Sequence, residues 1–380
     1  FPPRNNGGIS TAVGGLARAQ AHDGIECHVL SFDDYKPKST GGNAEPTQSR
    51  AEPGIGMLRV DGPQALPRAQ ELARSLRPDV VHVHHEMLWD FGAAVCQALQ
   101  IPSVFSVHVL QSEQNRLRNV ESTQSSDAQK KALVECSVIH APSETVAKLL
   151  VKSDPSLGAR LQVVPLAAAH GPGAALAQEP RPSTPDPRLL LYVGRFADIN
   201  GFAEFLGALP AIFAEHPTLH AIAAGGLPGN QRAAKRWAKR WREIAGSQYQ
   251  DRLALPGWLD RSQLSVLYTR AAALVVPSWF ETFGQVALEG MLHGTPLITT
   301  GAGALAELVD EHSACLIDSR SEAAICQGVS EVLRNPGAAD SRRAIAFSRA
   351  QEYLGWQGRM PAFRALYERR RTSSSTSAPS

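Results

Sequence analysis

Apolar positions in this chain fall into short continuous runs that alternate with stretches of helical period. Ile9, Val13, Leu16 and Ala17 recur at helical spacing and predict a helix from residue 9 to about 22, stopped by Asp23-Gly24. Short apolar runs then predict strands at 26–32, 80–83, 103–107, 137–141 and 161–164. Between them, helices are expected near 65–76, 91–99 and 144–151, the last capped by Ser143, with a polar helical stretch over 112–136. Runs that are apolar throughout are what parallel strands show when helices cover both faces. Residues 35–53 are rich in Gly, Pro, Ser and Thr and predict a loop. A strand should open such an alternation, so a first strand is expected to precede Phe1.

Residues 171–188 are rich in proline, offer little that could pack, and read as an interdomain linker. Alternation resumes beyond them. Strands are expected at 189–193, 221–224, 253–255, 273–276 and 296–299, against helices at 201–213, 231–244, 261–270, 283–292 and 304–309. One or two terminal helices fill 341–371, and the Ser/Thr-rich tail 372–380 is expected to be disordered. The pattern therefore predicts an α/β chain of two Rossmann-like, doubly wound domains with a cleft between them. Their expected bounds are 1–170 and 189–352, followed by a C-terminal helix over 353–371.

Composition narrows the class. A chain of 380 residues suits two domains. Hydrophobic residues at 43% and charged residues at 19% are the balance of a soluble globular protein. Lys and Arg number 38 against 36 Asp and Glu, a net charge of +2, whereas a nucleic-acid binder needs a basic excess; no nucleic-acid partner is expected. No apolar run reaches the roughly 18–20 residues of a membrane span. Cys27, Cys96, Cys136, Cys315 and Cys326 are scattered without a C-x-x-C pair, which argues against a disulfide framework and points to a reducing cytoplasm.

Open parallel sheets bind ligands where strand carboxyl ends lead into helix N-termini. Three such turns stand out. Asn6-Gly7-Gly8-Ile9 would let a ligand approach the backbone and offer free amides to an anion, although the same glycines also suit a plain tight turn. Gly194-Arg195 follows a buried strand, and the guanidinium fork suits phosphate oxygens if it is not simply a surface arginine. The segment from Pro277 to Glu289 carries Glu281 just before a helix and Glu289 inside it. The intervening Thr282-Phe283-Gly284-Gln285 would present amides to an anion.

That segment resembles the Glu-seven-Glu motif of the retaining glycosyltransferases of family 4, which have the GT-B architecture. The resemblance extends to Gly7-Gly8, Pro78-Asp79-Val80-Val81-His82, Val107-His108, Ala141-Pro142-Ser143, Val164-Pro165, Val193-Gly194-Arg195, Leu255-Pro256-Gly257, Pro277-Ser278, and Gly303 with Glu307. It covers nearly the whole chain to about residue 367, and implies that the C-terminal helix over 353–371, with Trp356, Phe363, Leu366 and Tyr367, packs back on the first domain, the alternative being ordinary packing on the second. It implies that Glu289 binds the ribose of a nucleotide sugar and that Glu281 sits against the donor sugar. The amides of Phe283, Gly284, Gln285 and Val286 would contact diphosphate or sugar. Arg195 would pair with the diphosphate, Gly8 would let it approach, and His108 would lie beside the sugar. It further implies retention by a front-face route without metal or other cofactor. The favoured donor is a UDP-sugar, with a GDP-sugar second, and the base would lie near Trp258 and Leu259. The acceptor would be a hydroxyl-bearing small molecule, glycan or lipid.

The family usually carries a lysine five residues after this arginine, where Asn200 stands here. Another cation such as Arg4 could substitute, or leaving-group stabilisation is weaker. The rival readings are a non-catalytic sugar-nucleotide-binding partner subunit and a sugar-nucleotide epimerase of the same fold.

Other signals weigh less. His82, His84, His85 and Glu86 resemble a metal cluster, but no partner cluster converges on them; His84, His85 and Trp89 read instead as acceptor-side lining or packing. Gly301-Ala302-Gly303-Ala304-Leu305-Ala306 fits a dinucleotide fingerprint, yet falls on a late turn of the second domain. The helix at 231–244 is basic, with Trp237 and Trp241 four residues apart. It reads as a solvated helix packing its tryptophans inward, and peripheral membrane contact is not favoured.

Overall fold

The computed structural model describes residues 7–33, 47–52, 54–61, 66–168, 186–226 and 231–368. They separate into two compact units: 9–168 with 356–368, and 7–8 with 186–355. Arg4, the expected linker up to residue 185, and the tail 372–380 lie outside the described residues.

The first unit runs α1 (Gly8–His22), β1 (Cys27–Asp33), β2 (Thr47–Glu52), β3 (Ile55–Asp61), α2 (Leu66–Ser75), β4 (Val81–Val83), α3 (Trp89–Leu99), β5 (Ser103–Ser106), α4 (Gln111–Arg118), α5 (Gln124–Glu135), β6 (Val138–Ala141), α6 (Glu144–Ser153) and β7 (Leu161–Val163). Strands β4-β5-β6-β7 form one parallel sheet, and β1-β3-β2 form a second in which β2 runs antiparallel to β3. Strands β5 and β6 are buried at every position, which is why their sequences are mainly apolar on both faces, and the polar Ser103, Ser106 and His140 among them are hydrogen-bonded. Ser143 accepts the amide of Val146 and starts α6, the cap expected from sequence.

Two corrections concern this unit. The expected loop over 35–53 contains β2, whose sequence TQSRAE lacks an apolar period because it is an edge strand paired only to β3. Its partner β3 is a strand that the sequence reading does not assign.

The second unit runs β8 (Asp186–Gly194), α7 (Phe202–Glu215), β9 (His220–Gly225), α8 (Gln231–Tyr249), β10 (Leu253–Gly257), α9 (Arg261–Arg270), β11 (Ala271–Val276), α10 (Gln285–Leu292), β12 (Leu297–Thr299), α11 (Leu305–Leu308), β13 (Cys315–Leu316), α12 (Glu322–Arg334) and α13 (Pro336–Ala350). Its six strands are parallel in the order β10-β9-β8-β11-β12-β13. This is the doubly wound order, and the chain reverses direction across the sheet between β8 and β11. A crevice forms outside the carboxyl ends of strands at such a switch point. Strand β8 starts three residues before the expected Leu189, so 186–188 belong to the sheet and not to the linker.

The core of this unit gathers Tyr192, Phe202, Phe205, Leu209, Ile212 and Phe213 with Trp237 and Trp241 of α8. The tryptophan indoles donate to the carbonyls of Phe196 and Gln250, which satisfies their buried N–H groups. Lys235, Arg236, Lys239 and Arg240 on the same helix face solvent. Among the described residues no helix is long and apolar enough to cross a membrane.

The last helix, α14 (Met360–Glu368), returns to the first unit, where Met360, Phe363 and Leu366 are buried. The turn at Gln351–Tyr353 stays with the second unit, where Tyr353 packs edge-on against Phe283. The change of unit therefore falls at Trp356, three residues after the expected boundary.

Candidate active site

In the second unit, the carboxyl ends of β8 and β11 carry the residues singled out from sequence. The chain leaves β8 at Gly194 and places Arg195 in the open, while the Arg195 carbonyl accepts the buried Tyr192 hydroxyl at 2.9 Å. A short turn, Asp198–Asn200, then leads to Gly201 at φ +67. A Cβ at Gly201 would collide with the carbonyl of Pro277, so this loop can lie against the end of β11 only because residue 201 is glycine. The Trp279 amide donates to the Ile199 carbonyl at 2.9 Å and closes the contact. Asn200 sits within this brace, and its buried Oδ1 has no hydrogen-bond partner.

Glu281 is held on three sides. Its Oε1 accepts the Ser278 hydroxyl at 2.8 Å. Its backbone bridges to Gly303, receiving the Ala304 amide at 2.8 Å and donating to the Ala302 carbonyl at 3.4 Å. The glycine pattern at 301–306 thus braces a carboxylate, which explains it without a dinucleotide. Burial raises the Glu281 pKa, while the Ser278 hydroxyl and the Arg195 charge oppose the shift.

Helix α10 starts at Gln285, two residues later than expected, because Gly284 adopts φ +94 as its N-cap. The first intrahelical bond is Leu288 donating to the Gly284 carbonyl, so the amides of Gln285, Val286 and Ala287 head the helix at its positive end. Phe283 and Gly284 are buried just before it. Glu289, one turn further, accepts the Tyr268 hydroxyl at 3.0 Å. Burial raises its pKa as well, against the hydrogen bond from Tyr268 and the charge of Arg261. Trp258 is 39% exposed just past β10, with Leu259 half-buried beside it.

Sequence reasoning missed Tyr268 and Ser278 as supports of the two carboxylates. Ser278 lies inside the recognised Pro277-Ser278 pair, whereas Tyr268 is on α9 with no local signal. Glu204 was missed too: one carboxylate oxygen accepts the Trp279 indole N–H at 3.0 Å, and the other is buried without a partner.

In the first unit, four histidines converge at the ends of β4, β5 and β6, and their hydrogen bonds can be directed from a single anchor. His140 Nε2 lies 2.8 Å from the Val164 carbonyl, which can only accept. In a neutral ring His140 Nδ1 must then accept, so the Ser106 hydroxyl donates to it at 2.6 Å. Ser106 has spent its hydrogen and accepts from His82 Nε2 at 2.7 Å. His82 Nδ1 therefore accepts from the Tyr367 hydroxyl at 3.0 Å, which itself accepts the Gln20 amide at 2.6 Å. Cys27 completes the series by donating to Gln20 Oε1 at 3.4 Å. Burial keeps these rings neutral, holding His140 down to about 4 and His82 well below its usual range.

His84 and His108 stand beside this chain, His84 Nδ1 lying 3.0 Å from His108 Nε2. Burial lowers His84 to about 3 and His108 far below its ordinary value. Of the expected acceptor-side residues, His85 is exposed and its Nδ1 accepts the Met87 amide. For Trp89 the packing alternative holds. It is 2% exposed and packs edge-on against Phe105, with its indole N–H bonded to Glu135, so it is core and lines no open surface. Among the described residues no group of three or more His, Cys, Asp or Glu is placed to hold a metal. Both ring nitrogens of His82 are already engaged by Ser106 and Tyr367.

This disposition can be set against known proteins. The model for "Glycosyltransferase Family 4" matches residues 6–168, and that for "Glycosyl transferases group 1" matches 187–335. The chain belongs to the family 4, group 1 glycosyltransferases. This glycosyltransferase is 28% identical over 400 residues to glycogen synthase of Mycobacterium tuberculosis, covering 94% of this chain and 90% of that one. Sucrose-phosphate synthase from Thermosynechococcus elongatus matches it in structure with a TM-score of 0.74 at 20% identity, over 98% of this chain and 97% of that one. Anabaena HepE, solved with UDP and glucose, matches with a TM-score of 0.65 at 16% identity, over 85% and 87%. The glycosyltransferase has the GT-B fold, and its two Rossmann-like units are the two units described above.

Proposed function

We propose that this glycosyltransferase moves a hexose from a nucleoside-diphosphate donor to a hydroxyl-bearing acceptor with retention of anomeric configuration. The observation that carries the reading is the pair Glu281 and Glu289 placed around the start of α10, at the switch point that also holds Arg195. Glu289 holds the ribose hydroxyls and Glu281 the donor sugar. The diphosphate meets the head of α10 and Arg195, with Gly8 and Asn200 beside it. A UDP-sugar is favoured over a GDP-sugar, and the UDP bound by HepE supports that order. The base is assigned to Trp258 and Leu259. His108 is assigned to the sugar.

In the front-face route the bond from the sugar C1 to the leaving phosphate oxygen breaks while the acceptor oxygen bonds to C1 on the same face. The acceptor proton passes to the leaving phosphate. The enzyme's part is charge stabilisation of the diphosphate and of the oxocarbenium-like sugar, with neither metal nor covalent nucleophile. Asn200 contributes an amide where relatives have a cation, which leaves Arg195 and the α10 amides to carry the charge. The same residue favours a second reading, a sugar-nucleotide-binding subunit without turnover.

The deciding experiment is thermal stabilisation against UDP, GDP, ADP, dTDP and their sugars. A ligand at a hundred times its Kd adds about 2.7 kcal/mol. A shift selective for one nucleotide and lost in Glu289→Ala is expected, whereas no shift with any of them would count against the transferase reading. Donor turnover in Asn200→Lys then separates the two readings: a gain marks a working enzyme, and no product in either form marks a binder.

A further inference from the structure

His84 lies just past the end of β4 and has no part in the reaction described above. Its ring rests on that of His82, with centroids 3.9 Å apart and planes inclined by 33°. His82 cannot turn, because Ser106 fixes one of its nitrogens and Tyr367 the other. His84 is therefore laid against a ring whose orientation is set by β5 and α14. On its other side, His84 Nδ1 meets His108 Nε2 at 3.0 Å, with ring centroids 5.3 Å apart.

Two neutral imidazoles at that distance share one hydrogen, since one nitrogen must donate and the other accept. The role of His108 Nδ1 follows from that choice. If His84 donates, His108 carries its hydrogen on Nδ1; if His84 accepts, His108 Nδ1 is bare. We propose that His84 is the positioning residue of His108, holding it in one neutral tautomer and one ring orientation so that it meets the donor sugar in a single hydrogen-bonding role. The proposal rests on the assignment of His108 to the sugar made above. Burial keeps His108 unprotonated, and a charge on His84, His140 or His85 would act in the same direction.

The test uses the full chain with His84→Phe, which keeps a ring but no hydrogen bond, and His84→Gln, which restores one polar partner. The first readout is the long-range 1H–15N spectrum of the imidazoles at pH 7 without ligand. In the parent protein the two His108 nitrogens should resonate at the separate positions of one tautomer, and in His84→Phe they should move toward a common average. The second readout is hydrolysis of the nucleotide sugar that gives the largest thermal shift. His84→Phe should lower kcat on the order of tenfold while donor KM changes little. His84→Gln should recover part of kcat.

Unchanged His108 resonances in His84→Phe would overturn the proposal. So would a His84→Phe protein with a lower Tm but unaltered kcat and KM, which marks a packing role. His108→Ala separates this from the reading beneath it. Full turnover in His108→Ala removes His108 from the reaction, whereas lost turnover there beside an unaffected His84→Phe removes only the positioning role.

Discussion

The backbone of Gly303 lies directly against the carbonyl of Glu281, joined by a parallel bridge, with φ at +66 where a side chain is rarely accommodated. A Cβ at residue 303 would strike that carbonyl and the ring of Phe280. Gly303→Ala should therefore cost about 1–3 kcal/mol, from left-handed backbone strain and from displacement of the bridge. Gly337→Ala is the matched control: it lies in the first turn of α13 with open space around it, and should be neutral or mildly stabilising. Denaturant titration of the two variants checks the contrast, and equal midpoints would show that the bridge does not hold Glu281.

Tyr268→Phe removes the hydroxyl that donates to Glu289 and leaves the ring packing in place. A hydrogen bond to a charged group contributes about 1.5–3 kcal/mol. If Glu289 holds the ribose, nucleotide affinity should fall by roughly 3–30-fold, since part of that energy is recovered by solvent or ligand. Calorimetric titration with UDP would show it. An unchanged Kd would mean that Glu289 is set by other contacts.

Acid should unfold the first unit. The unfolded chain protonates its histidines near 6.5, whereas the folded chain resists until about 4 at His140 and about 3 at His84, with His82 and His108 also depressed. The native state binds fewer protons, so stability rises with pH across this window and is lost as pH falls below about 6.5. Each such histidine adds a slope of up to about 1.4 kcal/mol per pH unit, levelling off near its folded value. Denaturation midpoints at pH 7.5, 6 and 5 should fall steadily, and a flat profile would contradict the neutral relay.

Tyr367→Phe should detach α14. It withdraws the donor to His82 Nδ1 and the acceptor of Gln20, leaving two part-buried polar groups unpaired. A loss of about 1–3 kcal/mol is expected. Hydrogen exchange should quicken over 360–368 more than over α13, and uniform protection across both helices would refute the tie.

How legible this was in the sequence depended on whether the signal was local. Strands β5, β6 and β11 announce themselves because both faces are covered and their centres are apolar, with Ser103, Ser106 and His140 the polar exceptions in β5 and β6. Strand β2 does not, since its order comes from a partner and not from its own TQSRAE. The carboxylates Glu281 and Glu289 and the loop at Arg195 could be found because their motifs are contiguous. Their supports could not: Tyr268 reaches Glu289 from another helix, and His82 meets Tyr367 across 285 positions. Trp89 stood open between lining and packing because its position near three histidines fits either. Its burial against Phe105, a residue of another element, decides for packing.

The return of α14 to the first unit bears on how the molecule is made. Gln20 and Tyr367 are hydrogen-bonded at a separation of 347 residues, and Asp23 pairs with Arg364 in the same region. Everything in the second unit up to residue 355 emerges from the ribosome before that partner helix does. Domains tend to fold as their chain is released, N-terminal first, and contacts distant in sequence form late. Here the order is inverted: the second unit can be finished during synthesis, and the first must wait, with its histidine relay open at one end, until the last helix arrives.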